Sequence, residues 1–403
     1  MSAIEFTDHT TEGSGRLAGR SLRVLLASDW FLPRLGGIEL QVADLASTLV
    51  AAGHQARVLT TTPDPNDRID PKVRRLRGPL GSGLLAAVSP KLLTELRGEL
   101  LRGYDVLHAH ASVVSPLALG SILAARTLQI PTVVTFHSVL LASAAMLRAA
   151  DLAFGWSRWP IVMTAVSKVV ASQLRNAAPD REIFVLPNGI DPLRWRTVQN
   201  GVARRDGQIV LVSTMRLHRK KRPIPLLNAF RKAREIVGAS GRLLTLKIVG
   251  EGPARHSIEA YLARHRLNDA VDLLGAQTRE TLQKIYTHAD AFVLPSIRES
   301  FGIAALEARI AGLPVIAMHG SGASMFLRQG VTALIAENDA ALTDNLVQIS
   351  LDDALRARLA RPDAELDRYA WPNVLDDHLA MYAHATRLAQ SSGWRGSKDA
   401  ADQ

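Results

Sequence analysis

The fold class expected for this chain is α/β, with two doubly wound, Rossmann-like domains. Three observations lead there. At 403 residues the chain is longer than one ordinary hydrophobic core accommodates. Short runs of branched apolar residues alternate with helical stretches, the signature of buried parallel strands joined by right-handed crossovers. A single interruption near the middle, residues 187–207, is rich in Pro, Gly, Asn and charge. The expected divisions are a disordered tail over 1–20, a first domain over 21–190, a second over 191–370, a helical segment over 371–390 and a second disordered tail over 391–403.

In chain order, Arg23–Ser28 reads as a strand, followed by a Pro/Gly loop and a helix from about Ile38 to Ala52. Gly53 stands where a left-handed residue commonly ends a helix, and Ala56–Thr60 begins the next strand. Tyr104–Ala109, Pro131–Phe136 and Ile161–Val166 are further buried strands, the last leading into a helix over Lys168–Asn176. The second half restarts with Gln208–Ser213 and continues through Leu244–Val249, Val271–Leu274 and Ala291–Leu294, with helices between. Gly302 and small residues then open a short helix, which Gly312 and Pro314 end before another apolar strand. A final helix is expected over Trp371–Leu388.

Hydrophobic residues make up 47% of the chain and charged residues 21%, a globular balance. With no cysteine, disulfides and thiolate metal sites are excluded, which fits a reducing cytoplasm. The first twenty residues lack the apolar core of a signal peptide, and no apolar run reaches the roughly 20 residues that span a bilayer. A cytoplasmic protein, soluble or peripheral at the inner face of the cell membrane, is expected. The net charge of +10 asks for an anionic partner. Nucleic acid ranks last, because no helix-turn-helix, zinc spacing or aromatic-basic motif is present. The stretch Leu80–Leu101, with Lys91 and Arg97 among leucines and Arg102 beside it, has two readings. It is an amphipathic helix on an anionic membrane, or an ordinary helix packed on the first sheet.

The chemistry concentrates at predicted strand ends. Glu299 and Glu307 flank a glycine loop and helix start, where free backbone N–H groups and a positive dipole end suit a diphosphate. From inside the helix, Glu307 can accept hydrogen bonds from neutral hydroxyls such as those of a ribose. Arg216 and Lys221 follow the strand that opens the second domain, within a basic run that also holds Arg219, Lys220 and Arg222. His137 ends the strand Pro131–Phe136, at the carboxyl edge where open α/β sheets bind ligands. His108 and His110 resemble a metal pair but lack a third ligand, and read as structural. Gly36 and Gly37 fill the first strand-to-helix loop and let backbone approach a ligand closely. No GxGxxG fingerprint is present, which argues against a dehydrogenase. Gly250 opens a Gly-x-Gly-Pro loop in which Pro253 suits a first helical position. Pro187–Asp191 reads as a turn.

Together these motifs resemble the Glu-x7-Glu signature and companion loops of retaining glycosyltransferases of the GT-B fold, in particular glycosyltransferase family 4, from about Arg23 to Tyr382. The resemblance implies two Rossmann-like domains facing across a cleft, the first on the acceptor side and the second binding a nucleotide sugar. The helix over 371–390 would cross back to the first domain. It implies that Arg216 and Lys221 grip the diphosphate, that Glu299 and Glu307 bind the donor, and that His137 lies beside the donor sugar. Catalytic roles then fall to His137, Arg216, Lys221 and Glu299. Gly36, Gly37 and Gly250, with the backbone of Phe301, Gly302 and Ile303, complete the donor site. No metal or resident cofactor is expected, the nucleotide diphosphate sugar being a co-substrate. The acceptor would be a glycan or glycolipid, met by the loops Pro63–Ser89 and Val139–Arg158. GDP-mannose leads among donors, with UDP-sugars close behind. Alternatives are an epimerase, another GT-B enzyme, or a non-catalytic sugar-nucleotide-binding module.

Overall fold

The structure is a computed structural model that describes residues 20–66, 70–76, 87–112, 114–138, 148–149, 151, 155–196 and 207–391. The expected tails over 1–20 and 391–403 fall almost wholly outside the described residues, as do parts of both proposed acceptor loops. The chain forms two compact units, one ending at Gly189 and resuming at Trp371, the other spanning Ile190–Ala370.

The first unit is built on seven strands: β1 (Arg23–Ser28), β2 (Gln55–Thr60), β3 (Val73–Arg75), β4 (Val106–Ala111), β5 (Thr132–Phe136), β6 (Val162–Ala165) and β7 (Ile183–Val185). They lie in the order β3-β2-β1-β4-β5-β6-β7, every pair parallel. Alternation along β1 supplies both faces of the sheet. Val24 and Leu26 join one buried cluster with Val42, Leu45 and Leu49, while Leu25 and Ala27 join another with Leu92, Leu96 and Leu117. Those partners come from helices α1 (Gly37–Ala51), α2 (Pro90–Leu100) and α3 (Pro116–Thr127), and α4 (Lys168–Ala177) follows β6. α1 stops as its sequence requires. Gly53 takes φ 86°, and the N–H groups of Gly53 and His54 donate to Val50 and Leu49 at 3.1 and 3.0 Å.

Two expectations for this unit are corrected. The strand expected from Tyr104 begins at Val106. The preceding residues make a joint instead, in which Asp105 accepts the Arg23 N–H at 2.8 Å. The amphipathic stretch ending at Leu101 is, where described, the sheet-packed helix of the second reading. Leu92, Leu96 and Leu100 of α2 are buried in the core, and Lys91, Arg97 and Arg102 face outward. The apolar stripe a membrane helix would insert is already consumed. No helix among the described residues is long and apolar enough to cross a membrane.

The second unit carries β8 (Gln208–Thr214), β9 (Leu243–Val249), β10 (Val271–Leu273), β11 (Ala291–Leu294), β12 (Val315–Met318) and β13 (Ala333–Ala336). Their order is β10-β9-β8-β11-β12-β13, again all parallel. The helices are α5 (Pro192–Trp195), α6 (Pro223–Ala239), α7 (Arg255–Arg264), α8 (Arg279–Thr287), α9 (Ile303–Ile310), α10 (Asp339–Leu351) and α11 (Asp353–Leu359). On α6, Leu226, Phe230, Ala233 and Val237 recur at helical spacing and bury against Leu244, Leu246 and Ile248 of β9 and Leu342 and Leu346 of α10. The chain then returns to the first unit as α12 (Trp371–Ser391), whose Leu375, Met381, Tyr382 and Ala385 complete the cluster under α1.

Both sheets reverse strand order beside their first strand, between β1 and β4 and between β8 and β11. Loops leaving neighbouring strands there diverge to opposite faces and open a crevice at the carboxyl edge.

Candidate functional site

In the second unit, Arg216 and Lys221 lie beyond β8 and Glu299 beyond β11, the two strands flanking the switch point. The consequence is direct: Lys221 Nζ donates to Glu299 Oε2 at 2.7 Å, joining residues 78 apart in sequence. Lys221 is set in a short 3-10 turn, Arg219–Lys221, where its own N–H reaches the His218 carbonyl at 2.8 Å. Arg216 is exposed and pairs with no carboxylate among the described residues. Gly302 caps α9 at φ 88°, a left-handed conformation that a side chain disfavours. The first N–H groups of α9, from Ile303 on, are thereby presented next to Glu299. Phe301 itself is buried against Phe326 and Tyr369, with ring centroids 5.6 and 5.8 Å away, so only its backbone is available to a ligand. Glu307 lies just over one turn into α9 and is buried; burial of Tyr286 first, and then the Glu307 charge, holds the Tyr286 hydroxyl well above the ordinary tyrosine range.

Gly250 has a more local task than ligand contact. A Cβ there would fall 1.9 Å from the Met215 carbonyl oxygen, and its N–H is committed to Gly275 O at 2.8 Å. Ala254 N–H and the Glu251 carbonyl clasp Leu217 at 2.9 Å each. The glycine turn therefore fixes the segment that carries Arg216. Pro253 does not start the helix as expected, because Ala254 is the N-cap and α7 begins at Arg255.

In the first unit, Gly36 and Gly37 open α1. Any side chain at position 36 would meet Glu39 Oε2 at 2.3 Å. That buried carboxylate folds back along the helix start and pairs with Arg34 at 3.1 Å, while Arg34 stacks 3.8 Å over the Trp30 ring. His137 follows β5, and its Nε2 lies 3.0 Å from His110 Nδ1. His110, Thr135, His137 and His378 line one small pocket with Gln41, Asn188 and Trp371. Burial keeps these rings neutral, helped at His108, His110 and His137 by neighbouring imidazoles. His137 is pushed down to about 3 and His378 to about 4, and His108 and His110 fall well below the usual histidine range.

The structure thus joins Lys221 with Glu299, places Gly302, Ile303 and Glu307 on one helix start beside them, and ties Gly250 to Arg216. His137, Gly36 and Gly37 belong to the other unit. Sequence reasoning set His110 aside with His108 as structural and did not find Gln41 or His378. The readable signal for His110 was its spacing: two residues after His108 on one strand, it shares a sheet face and ends one strand before His137. His378 has no such signal, since it arrives from α12. Among the described residues no group of three His, Cys, Asp or Glu side chains is placed to hold a metal ion.

Comparison with known proteins separates the two units in the same way. Residues 35–194 match the model described as Glycosyltransferase Family 4, and residues 196–363 match Glycosyl transferases group 1. The D-inositol 3-phosphate glycosyltransferase of Actinosynnema mirum is 28% identical, over 87% of this chain and 92% of the relative. The glycogen synthase of Mycobacterium tuberculosis is also 28% identical, over 91% and 95%. Among solved structures, Anabaena HepE in complex with UDP-glucose superposes with a TM-score of 0.71 at 20% identity, over 89% of this chain and 99% of its own. A glycosyltransferase from Rickettsia africae gives 0.70 at 16% identity, over 91% and 98%. Two family models meeting at the division between the units, relatives matched over nearly their full length and the shared architecture leave one conclusion: this chain is a glycosyltransferase of family 4 with the GT-B fold.

Proposed function

We propose that this enzyme moves a hexosyl group from a nucleotide diphosphate sugar to a hydroxyl of a glycan or glycolipid, retaining the α configuration and using no divalent metal. The observation that carries the reading is the 2.7 Å contact between Lys221 and Glu299 beside the capped N-terminus of α9. As the glycosidic bond breaks, charge grows on the departing diphosphate. Fixed cations and helix N–H groups stabilise that charge in the transition state. Arg216 engages two phosphate oxygens through its planar fork, and Lys221 acts as a point charge. Glu299, now held on Lys221, is close enough to trade that partner for a donor hydroxyl once phosphate takes the lysine. Glu307 receives the ribose hydroxyls, and His137 is the first unit's contribution to catalysis.

Among the described residues of the first unit no carboxylate stands out as a nucleophile, which supports a front-face course in which the leaving phosphate helps to deprotonate the acceptor. GDP-mannose and UDP-sugars are the donors to separate, and the UDP-glucose complex of HepE lends support to the second. Thermal shift with GDP, UDP and ADP identifies the base, since a ligand at 100 times its dissociation constant stabilises by about 2.7 kcal/mol. Proton NMR of the product made from the matching sugar nucleotide then reports the anomer. No shift with any of the three nucleotides overturns the donor reading, and a β product overturns retention.

A further inference from the structure

Beyond β1 the first unit presents a large apolar side chain to solvent from a loop that is tied down on both sides. Trp30 is 42% exposed, and Leu35 further along the loop is 59% exposed. The residues flanking Trp30 are anchored inward. The Asp29 carbonyl accepts from the Thr61 and Thr62 hydroxyls at 3.1 and 3.0 Å, and the Phe31 N–H donates to Thr62 Oγ1 at 2.9 Å. The Phe31 ring is buried, and the Leu32 carbonyl accepts from Arg75 at 2.8 Å. The Trp30 carbonyl itself accepts from Ser28 Oγ at 2.8 Å. Arg34 lies 3.8 Å over one face of the indole and is pinned in turn by the buried Glu39 carboxylate at 3.1 Å. The exposed surface is thus the rest of a ring whose backbone and orientation are already set. It stands two residues past β1, at the carboxyl edge where the strand order reverses.

The charges of this loop are committed within the unit. The N–H groups of Leu117 and Ala118, which open α3, donate to the Asp29 carboxylate at 2.9 and 3.3 Å. The Glu39 carboxylate lies at the start of α1, where a Cβ on Gly36 would fall 2.3 Å from it. A helix start left empty is a ready anion site. These two are filled by the chain's own carboxylates, and a phosphate brought there would meet like charge. The arginines of the loop are engaged as well, Arg34 with Glu39 and Arg75 with the carbonyls of Thr62 and Leu32 at 2.7 and 2.8 Å. An anionic bilayer, which asks for free basic residues near an interfacial tryptophan, is disfavoured on the same ground. An oriented indole without free charge beside it suits an uncharged ligand with an apolar face. A pyranose is such a ligand. Its C–H groups lie against the negative face of the indole while its hydroxyls stay in water.

We propose that Trp30 is the platform of an acceptor subsite, on which an uncharged sugar ring of the acceptor stacks, so that this enzyme extends a neutral sugar in preference to a sugar phosphate. The proposal rests on the reading of the chain as an enzyme that transfers a hexosyl group to a glycan or glycolipid. It adds which residue holds the acceptor and what charge the held ring carries.

The test is ¹⁹F NMR of the full-length protein labelled with fluorotryptophan, in the presence of whichever of GDP, UDP or ADP raises its melting temperature. The Trp30 signal is identified by its loss in Trp30→Phe. The probes are the neutral sugars methyl α-glucoside, methyl α-mannoside, maltose and mannobiose, set against glucose phosphate, mannose phosphate and phosphatidylglycerol vesicles. At least one neutral sugar should move the Trp30 signal saturably, and further than the phosphates or the vesicles do. With that sugar as acceptor, Trp30→Ala should raise the acceptor KM about tenfold while the donor KM stays level, as expected for the loss of one aromatic contact. Trp30→Phe should recover most of that loss, because a smaller aromatic face still stacks. Melting temperatures of both variants should stay near wild type, since the side chain is exposed. A Trp30 signal that no neutral sugar moves, or that a sugar phosphate or the vesicles move further, overturns the proposal. An unchanged acceptor KM in Trp30→Ala overturns it too. If no nucleotide raises the melting temperature, the glycosyl-transfer reading fails by a separate result and takes the proposal with it.

Discussion

Lys221 is the residue on which the proposed donor grip depends most. Removing one donor aimed at developing charge typically costs about 10² to 10³ in turnover. Lys221→Ala should therefore lose that factor in kcat while remaining folded, and near-normal turnover would remove Lys221 from the mechanism. The same substitution releases Glu299 from its 2.7 Å partner. The ion pair is partly exposed and worth little to stability, so the melting temperature should hardly move. The histidines behave oppositely, since they matter to stability through pH. His137 and His378 titrate near 3 and 4 in the fold, and burial holds His108 and His110 well below the usual histidine range, against roughly 6.5 in the unfolded chain. As pH falls from 7 the unfolded chain takes up protons first. Stability is then fully present above about pH 6.5 and is lost progressively as pH falls toward about 3. Melting scans should show this decline, with a shallower slope in His378→Phe. A flat profile between pH 7 and 5 would contradict the buried, neutral cluster.

Among the elements, the clearest prediction concerns the glycine turn behind Arg216. In Gly250→Ala the new methyl would stand 1.9 Å from a backbone oxygen, at φ 133°. Neither the carbonyl nor the left-handed backbone yields cheaply. The variant should lose about 1–3 kcal/mol of stability, and its donor KM should rise as the Arg216 segment shifts. An unchanged KM would detach that turn from nucleotide binding. Elements also show what the sequence reveals and what it hides. Arg23–Ser28, Gln208–Thr214 and Ala291–Leu294 are legible because central parallel strands are buried on both faces and read as unbroken apolar runs. The edge strand β3 is invisible in Val73-Arg74-Arg75, where only one side needs a partner and arginine is tolerated. Neither β7 nor β13 is named in the sequence reading either. At the site, spacing marked Lys221 and Glu299 separately. Their contact is set by the strand order β8-β11, which no local pattern encodes.

The molecule as a whole has separate cores for its two units, one around α6 and β9 and others on the two faces of the first sheet. If the donor site lies in the second unit, the matching nucleoside diphosphate should raise the unfolding temperature of residues 190–370 first. Hydrogen exchange read peptide by peptide separates that unit from the other, and equal protection of both would contradict the placement of the donor. Activity should survive chelation, and full dependence on added magnesium or manganese would overturn the metal-free reading. The first unit has a further property that follows from its discontinuous chain. Ile190 and Ala370 pair as neighbours where the chain leaves and returns, and Gln41 holds Gly189 through both its N–H and its carbonyl at 3.0 and 2.8 Å. The cluster beneath α1 lacks Met381, Tyr382 and Ala385 until α12 has been made. During synthesis the order of completion is therefore inverted. The second unit can finish its core while the N-terminal sheet, though made first, still exposes an apolar face awaiting the last helix. Once residues up to 370 have cleared the ribosome and before α12 is released, the chain would carry a folded 190–370 unit and a first unit open to proteases and chaperones, and the emergence of α12 would end that exposure.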